Sequence, residues 1–132
     1  MNILLVDDNP DILEILQEQF VEYDFLLTTP AIETADDGKT AVPQLSKTKF
    51  DLIITDFMMP GMNGLEFIKT VREGHTQNKN SPVICISAFL PEIQANTPTH
   101  ILEGVYFIEK PFDPDKVARV AKMSLLKSQN KL

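Results

Sequence analysis

The feature that most constrains this chain is a set of four short apolar runs, each leading into a polar residue. They are Ile3-Leu4-Leu5-Val6, Leu52-Ile53-Ile54-Thr55, Val83-Ile84-Cys85-Ile86 and Val105-Tyr106-Phe107-Ile108. Each is almost uniformly apolar and rich in β-branched or aromatic residues, the pattern of strands covered on both faces. A weaker run over residues 31–35 reads as an edge strand. Helical spacing fills the intervals. Asn9 can cap a helix with Pro10 at its first position, and Ile12, Leu16, Phe20, Tyr23 and Leu27 follow until Pro30. Leu65, Phe67, Ile68 and Val71 mark a second helix over residues 64–73, with Gly74 as its C-cap. Asp113-Pro114 opens a last one, with Val117, Val120, Ala121 and Leu125 as its stripe. A helix is expected within residues 39–50 if Pro43 falls in its first turn, where amide donors are unpaired anyway. Pro98 and Asn96-Thr97 oppose regular helix in residues 91–104, so that helix should be short or irregular. Residues 74–82 read as a polar, mobile loop.

Strands interleaved with helices imply right-handed βαβ units, hence an open parallel sheet with helices on both faces. At 132 residues the chain suits one domain, and no run is long enough to span a membrane. The lone Cys85 and the lack of a basic segment before Lys39 fit a cytoplasmic protein. A formal net charge of −7 argues against nucleic acid as a partner. The charge is also segregated: residues 1–37 hold ten acids and no Lys or Arg, and residues 110–132 hold six bases against two acids. An acidic amino-terminal third suggests a site that wants a cation.

In such sheets ligands bind beyond the carboxyl ends of the strands. Here those ends carry Asp7-Asp8, Asp56, Ser87 and, after Glu109, Lys110. Two carboxylates about 4 Å apart repel by roughly 4 kcal/mol at an effective dielectric near 20. Three are worse, and one lysine offsets only part of this. A hard divalent cation such as Mg²⁺ is the expected remedy, since it takes one or two carboxylates together with phosphoryl oxygens. Carboxylate, cation, hydroxyl and lysine together are the parts needed to move a phosphoryl group onto a carboxylate.

With these residues in place, the chain resembles the receiver domain of two-component response regulators, of the single-domain chemotaxis-regulator kind, over essentially residues 1–132. The resemblance rests on residues 3–9 with Asp7-Asp8-Asn9, residues 51–64 with Asp56-Phe57-Met58-Met59-Pro60-Gly61, Ile86-Ser87-Ala88 and Glu109-Lys110-Pro111-Phe112 in that order. It implies a doubly wound, flavodoxin-like five-stranded sheet of order 2-1-3-4-5. It implies Asp56 as phospho-acceptor; Asp7, Asp8, Asp56 and the Met58 backbone carbonyl as ligands of Mg²⁺ or Mn²⁺; and Ser87 and Lys110 as partners of the phosphoryl group. Ser87 and Phe107 would form the switch, and a cis bond would precede Pro111. Met58 and Phe89 occupy the positions that modulate dephosphorylation, where their bulk is expected to obstruct water. The donor would be a histidine kinase or histidine phosphotransfer protein. The output would be a changed protein-binding surface on the fourth helix, last strand and last helix, where Lys116, Arg119, Lys122 and Lys127 recur.

Simpler readings exist for each residue taken singly. Asp7 and Asp8 also suit a helix start, Asp56 a turn, Lys110 a solvated lysine and Phe107 plain core. His75 and His100 have no neighbours in sequence that complete a metal site. A Mg²⁺-dependent phosphohydrolase would want a second acid two residues after its nucleophile, where this chain has Met58. A flavin module would want a Ser/Thr/Gly-rich loop after the first strand, where Asp7-Asp8-Asn9-Pro10 stands. The expectation is therefore a signalling module and not an enzyme, catalysing at most its own phosphorylation and dephosphorylation.

Overall fold

The apolar runs become five strands: β1 (Asn2–Val6), β2 (Ala31–Ala35), β3 (Leu52–Asp56), β4 (Val83–Ser87) and β5 (Val105–Glu109). They come from a computed structural model that describes residues 1–22, 29–59, 61–88 and 97–128. All neighbours pair in parallel, in the order β2-β1-β3-β4-β5. The expected sheet is therefore present. The central strands β3 and β4 are buried throughout, whereas β2 at the edge is largely open.

Period-two alternation divides the core between the two faces of the sheet. Ile3, Leu5, Ile54, Ile84 and Ile86 meet Leu16, Phe20, Val117, Ala121 and Leu125 from helices α1 (Pro10–Glu22) and α5 (Pro114–Ser128). Leu4, Val6, Ile53, Val83 and Cys85 meet Ala41, Leu45, Phe67, Val71 and Ile101 from α2 (Gly38–Lys47), α3 (Gly64–Glu73) and α4 (Thr99–Leu102). Tyr23, Leu27 and Phe89 lie outside the described residues.

The helix starts follow local chemistry. Asn9 Oδ1 accepts the Asp11 amide at 2.9 Å, with Pro10 as first helical residue. Asp37 Oδ1 accepts the Thr40 amide at 2.7 Å. Asn63 and Glu66 form a reciprocal capping box that fixes the start of α3. Asp113 Oδ1 accepts the Asp115 amide ahead of α5. Helix α4 spans four described residues, and the first part of the segment expected to be short or irregular, residues 91–96, lies outside the described residues.

Two details, Pro43 and residues 74–82, depart from the sequence expectation. Pro43 lies inside α2, beyond its first turn. It and Lys39, whose carbonyl loses the proline's missing donor, share an exposed face where water can replace that bond. Gly74 is the C-cap of α3, as expected, its amide donating to the Thr70 carbonyl at φ −72. A Cβ there would lie 2.7 Å from the Thr70 carbonyl oxygen, and that close approach is what suits glycine. Residues 74–82 are only partly solvated, because Asn78 and Ser81 are fully buried while His75, Gln77, Lys79 and Asn80 are exposed. Asn78 Nδ2 donates to the Leu45 and Thr48 carbonyls, and its Oδ1 accepts from the Phe50 amide and Ser81 Oγ. Arg72 extends the network, donating to the carbonyls of Glu103, Lys79 and Ser81.

Candidate functional site

The site is assembled by strand order. In the sheet β1 lies between β2 and β3, so the chain's path reverses direction across β1 and β3, and a crevice opens at their carboxyl ends. Val6 is in register with Thr55, so Asp7 and Asp56 emerge side by side. Asp56 pairs with Ile86 and Ser87 with Glu109, which brings the next two strand ends level. The Lys110 amide donates to the Ser87 carbonyl at 3.0 Å, and the Lys110-Pro111 bond is cis, as the resemblance implied.

Backbone contacts hold these ends in place. The Asp7 amide donates to Ala35 O at 3.1 Å and the Phe57 amide to Ile86 O at 3.0 Å. Behind Asp56, the Gly64 amide donates to Phe57 O at 2.7 Å. A Cβ on Gly64 would sit 2.7 Å from both Asp56 O and Phe57 Cα. Only glycine lets the first turn of α3 approach the loop after β3 this closely.

One carboxylate oxygen from each of Asp7, Asp8 and Asp56 lies within 4.8 Å of the others. Asp7 and Asp56 are buried and Asp8 is exposed. Asp7 is pushed up from 3.8 to about 6, first by burial and then by the charge of Asp56, although the Asn9 amide bonds its carboxylate. One cation answers this cluster: Lys110 Nζ stands 2.6 Å from Asp56 Oδ1. No hydrogen-bond donor in good alignment reaches that oxygen among the described residues, so the contact is an ion pair first. A single ammonium against three carboxylates leaves the pocket short of positive charge, which is the condition a divalent cation relieves. The chemistry of the donor set fits a hard ion with oxygen ligands.

The cluster forms the floor of a cleft of about 870 Å³. Its rim is apolar, including Ile12, Ile15, Met58, Ala88, Phe112 and Pro114. Met58 is 58% exposed beside the acids. Ser87, one residue before the rim residue Ala88, is buried. Phe107 is half-buried and packs with the core on the α2–α4 side of the sheet. Cys85 lies beneath the site, its thiol pushed up to about 12 by burial and by the charge of Asp56. The structure thus brings together Asp7, Asp8, Asp56, Met58 and Lys110 in one cleft. It sets Ser87 at the next strand end and Phe107 one strand further out, half-buried against the core. Sequence reading did not find Ile15 as part of this rim. The available signal was an isoleucine adjacent to, but off, the Ile12–Leu16–Phe20 stripe.

Comparison with known proteins agrees with this geometry. The chain matches the response regulator receiver domain over residues 3–122. It is 39% identical over 88 residues to chemotaxis protein CheY-3 of Vibrio cholerae, covering 67% of this chain and 64% of that protein. It is 36% identical to chemotaxis protein CheY of Pseudomonas aeruginosa, covering 67% of each. The receiver domain of Francisella response regulator 1452 superposes with a TM-score of 0.77 at 26% identity, covering 96% of this chain and 98% of that one. The match across residues 3–122 shows that this chain belongs to the response regulator receiver domain family, whose general function is to accept a phosphoryl group from a histidine kinase in two-component signalling.

Proposed function

We propose that Asp56 is the phospho-acceptor of a single receiver domain formed by residues 1–132. The observation that carries this reading is the buried Asp56 carboxylate, ion-paired to Lys110 inside a three-acid cluster at the foot of an open cleft. In the reaction an Asp56 oxygen attacks the phosphorus of a phosphohistidine in line. The P–N bond breaks and its electron pair leaves on the imidazole nitrogen. Lys110 remains beside the new acyl phosphate and balances part of its charge. Asp7, Asp8, Asp56 and the Met58 carbonyl are the groups that would hold Mg²⁺ or Mn²⁺. When bound, the ion supplies the remaining positive charge on the phosphoryl oxygens.

In this reading the Ser87 hydroxyl, at the end of β4, bonds a phosphoryl oxygen, and Phe107 on the neighbouring strand β5 moves with it. Phosphorylation then biases two packings of the same core. The readout is a changed surface on α4, β5 and α5, met by a downstream protein in the cytoplasm. Chemistry is confined to gain and loss of the domain's own phosphoryl group, with Met58 and Phe89 slowing the loss. Among the described residues no helix is long and apolar enough to cross a membrane.

Intact-mass measurement with acetyl phosphate and Mg²⁺ tests the acceptor. A single phosphoryl adduct is expected on wild type and none on Asp56→Asn. An adduct that survives in Asp56→Asn would defeat the assignment.

A further inference from the structure

The outer face made by α1 and α5 carries an arrangement that the phosphorylation chemistry does not use. On α1 the exposed positions after Pro10 include Asp11, Glu14, Ile15, Glu18 and Val21, one face of the helix by their spacing. On α5 they include Lys116, Arg119, Lys122, Met123 and Lys127. One helix is an acidic ridge and its neighbour a basic one. Gln19 Nε2 donates to Asp115 Oδ1 at 2.8 Å, tying the third turn of α1 to the first turn of α5. Glu18 therefore lies at about the level of Lys116 and Arg119. Even so, among the described residues no ion pair joins the two ridges; Lys110–Asp56 is the pair the structure forms.

Apolar exposure concentrates on the same face. Of the large hydrophobic residues exposed among those described, Ile15 is 41%, Val21 67% and Met123 46% accessible, and only Met58 lies elsewhere. Copies of a chain with net charge −7 repel one another. This face is the exception, because Asp11, Glu14, Glu18 and Asp115 stand against Lys116, Arg119, Lys122 and Lys127. It is locally balanced, charge-segregated and dotted with apolar side chains.

We propose that the α1/α5 face is a self-association surface on which a second copy of this chain docks, with α1 of each copy opposite α5 of the other. The charge pattern selects the symmetry. A two-fold axis running across the helices would lay acid on acid and base on base. An axis running along them lays each acidic ridge on a basic one and brings Val21 and Ile15 against the partner's helix, so only the second is favourable. Helices of 13 and 15 residues, packed about 8–10 Å apart, give a face roughly 20 Å square. That footprint lies at the small end of specific interfaces, so the contact is weak and reversible. Ile15 belongs both to this face and to the rim of the Asp56 cleft, so a docked copy borders the phosphorylation site.

A charge-swap experiment tests the proposal by sedimentation velocity over a concentration series reaching about 1 mM. Wild type is expected to dimerise with concentration. Glu18→Lys alone and Lys116→Glu/Arg119→Glu alone should each associate at least tenfold more weakly, while circular dichroism confirms that both stay folded. Mixed in equal amounts, the two variants restore complementarity at both helix pairs and should regain dimerisation. A wild type that stays monomeric overturns the proposal. So does either variant that dimerises as wild type does, or a mixture no better than its parts.

Discussion

Two polar clusters sit at opposite ends of the same sheet and are built on opposite principles. At the amino ends of the strands, Asn78 uses both donors and two acceptor positions, and Ser81 Oγ bonds the Phe50 carbonyl at 2.8 Å. At the carboxyl ends, Asp7, Asp8 and Asp56 crowd together with one lysine for company. The first cluster carries two cations, Lys49, whose Nζ donates to Ser81 Oγ, and Arg72, whose Nε and Nη1 are bonded to carbonyls while Nη2 has no partner among the described residues. The second is charged and undersupplied with cations. A buried polar group with its partners in place stabilises the fold, whereas one lacking them costs stability and is kept for what it can bind. The difference separates the structural end of this molecule from the chemical one.

Breaking the satisfied end should have the largest effect. Asn78→Ala leaves the Phe50 amide and the Leu45 and Thr48 carbonyls without their partner, and is expected to cost about 3–5 kcal/mol in urea denaturation. A loss below about 1 kcal/mol would mean that the network is ornamental. The frustrated end should respond with the opposite sign. Asp7→Asn keeps an oxygen for the Asn9 amide and removes a repelled charge, so the metal-free protein should gain about 1–2 kcal/mol at neutral pH, the cleft's solvent screening part of the repulsion. The same change should abolish any rise in Tm produced by Mg²⁺.

The pH dependence sharpens this second point. Folding raises the Asp7 pKa from 3.8 to about 6, so the folded state holds that proton more tightly than the unfolded one. The contribution is fully present below about pH 4 and is lost as pH rises through 6. The stability advantage of metal-free Asp7→Asn over wild type should therefore be larger at pH 7.5 than at pH 4.5. An advantage that shrinks over this range would contradict the charge-crowding account.

Cys85 provides a probe between the two ends. With its thiol pushed up to about 12 and its side chain buried, it should resist a thiol-specific disulfide reagent at pH 8 until the protein opens. Labelling as fast as in urea would show that the core beneath Asp56 is accessible. The smallest expected effect belongs to the rim. Met58→Asn should speed loss of the phosphoryl group severalfold, about 1 kcal/mol in barrier, by replacing an apolar side chain beside the acids with one that can hold water. An unchanged rate of spontaneous dephosphorylation would remove Met58 from that role.

How much of this could be read in advance depends on the range of the interactions. Strands such as Val83–Ser87 were legible because burial on both faces demands an uninterrupted apolar run. The helix starts at Asn9, Asn63 and Asp113 rest on partners two or three residues away, so their chemistry is local. The network at Asn78 was not legible, because its bonds reach residues about 30 positions away and a buried asparagine looks like any polar loop residue. Pro43 escaped for a related reason. Its tolerance depends on which side of α2 faces water, and that is settled only once the helix is docked.

The sequence by itself determined the βα alternation and the identity of the group at each strand end, since both follow from short-range periodicity and from chain order. It also determined that the acids would outnumber the cations near the start of the chain. Tertiary structure decided which ends become neighbours, because parallel pairing in the order β2-β1-β3-β4-β5 sets Asp7 beside Asp56 and carries Lys110 across β4 to meet them. It also decided that Ile15, Val21 and Met123 stay exposed beside two ridges of charge that no ion pair joins among the described residues, a consequence of how α1 and α5 dock. Strand-end chemistry is local to the chain; charge crowding arises only when folding removes both the distance and the water between groups.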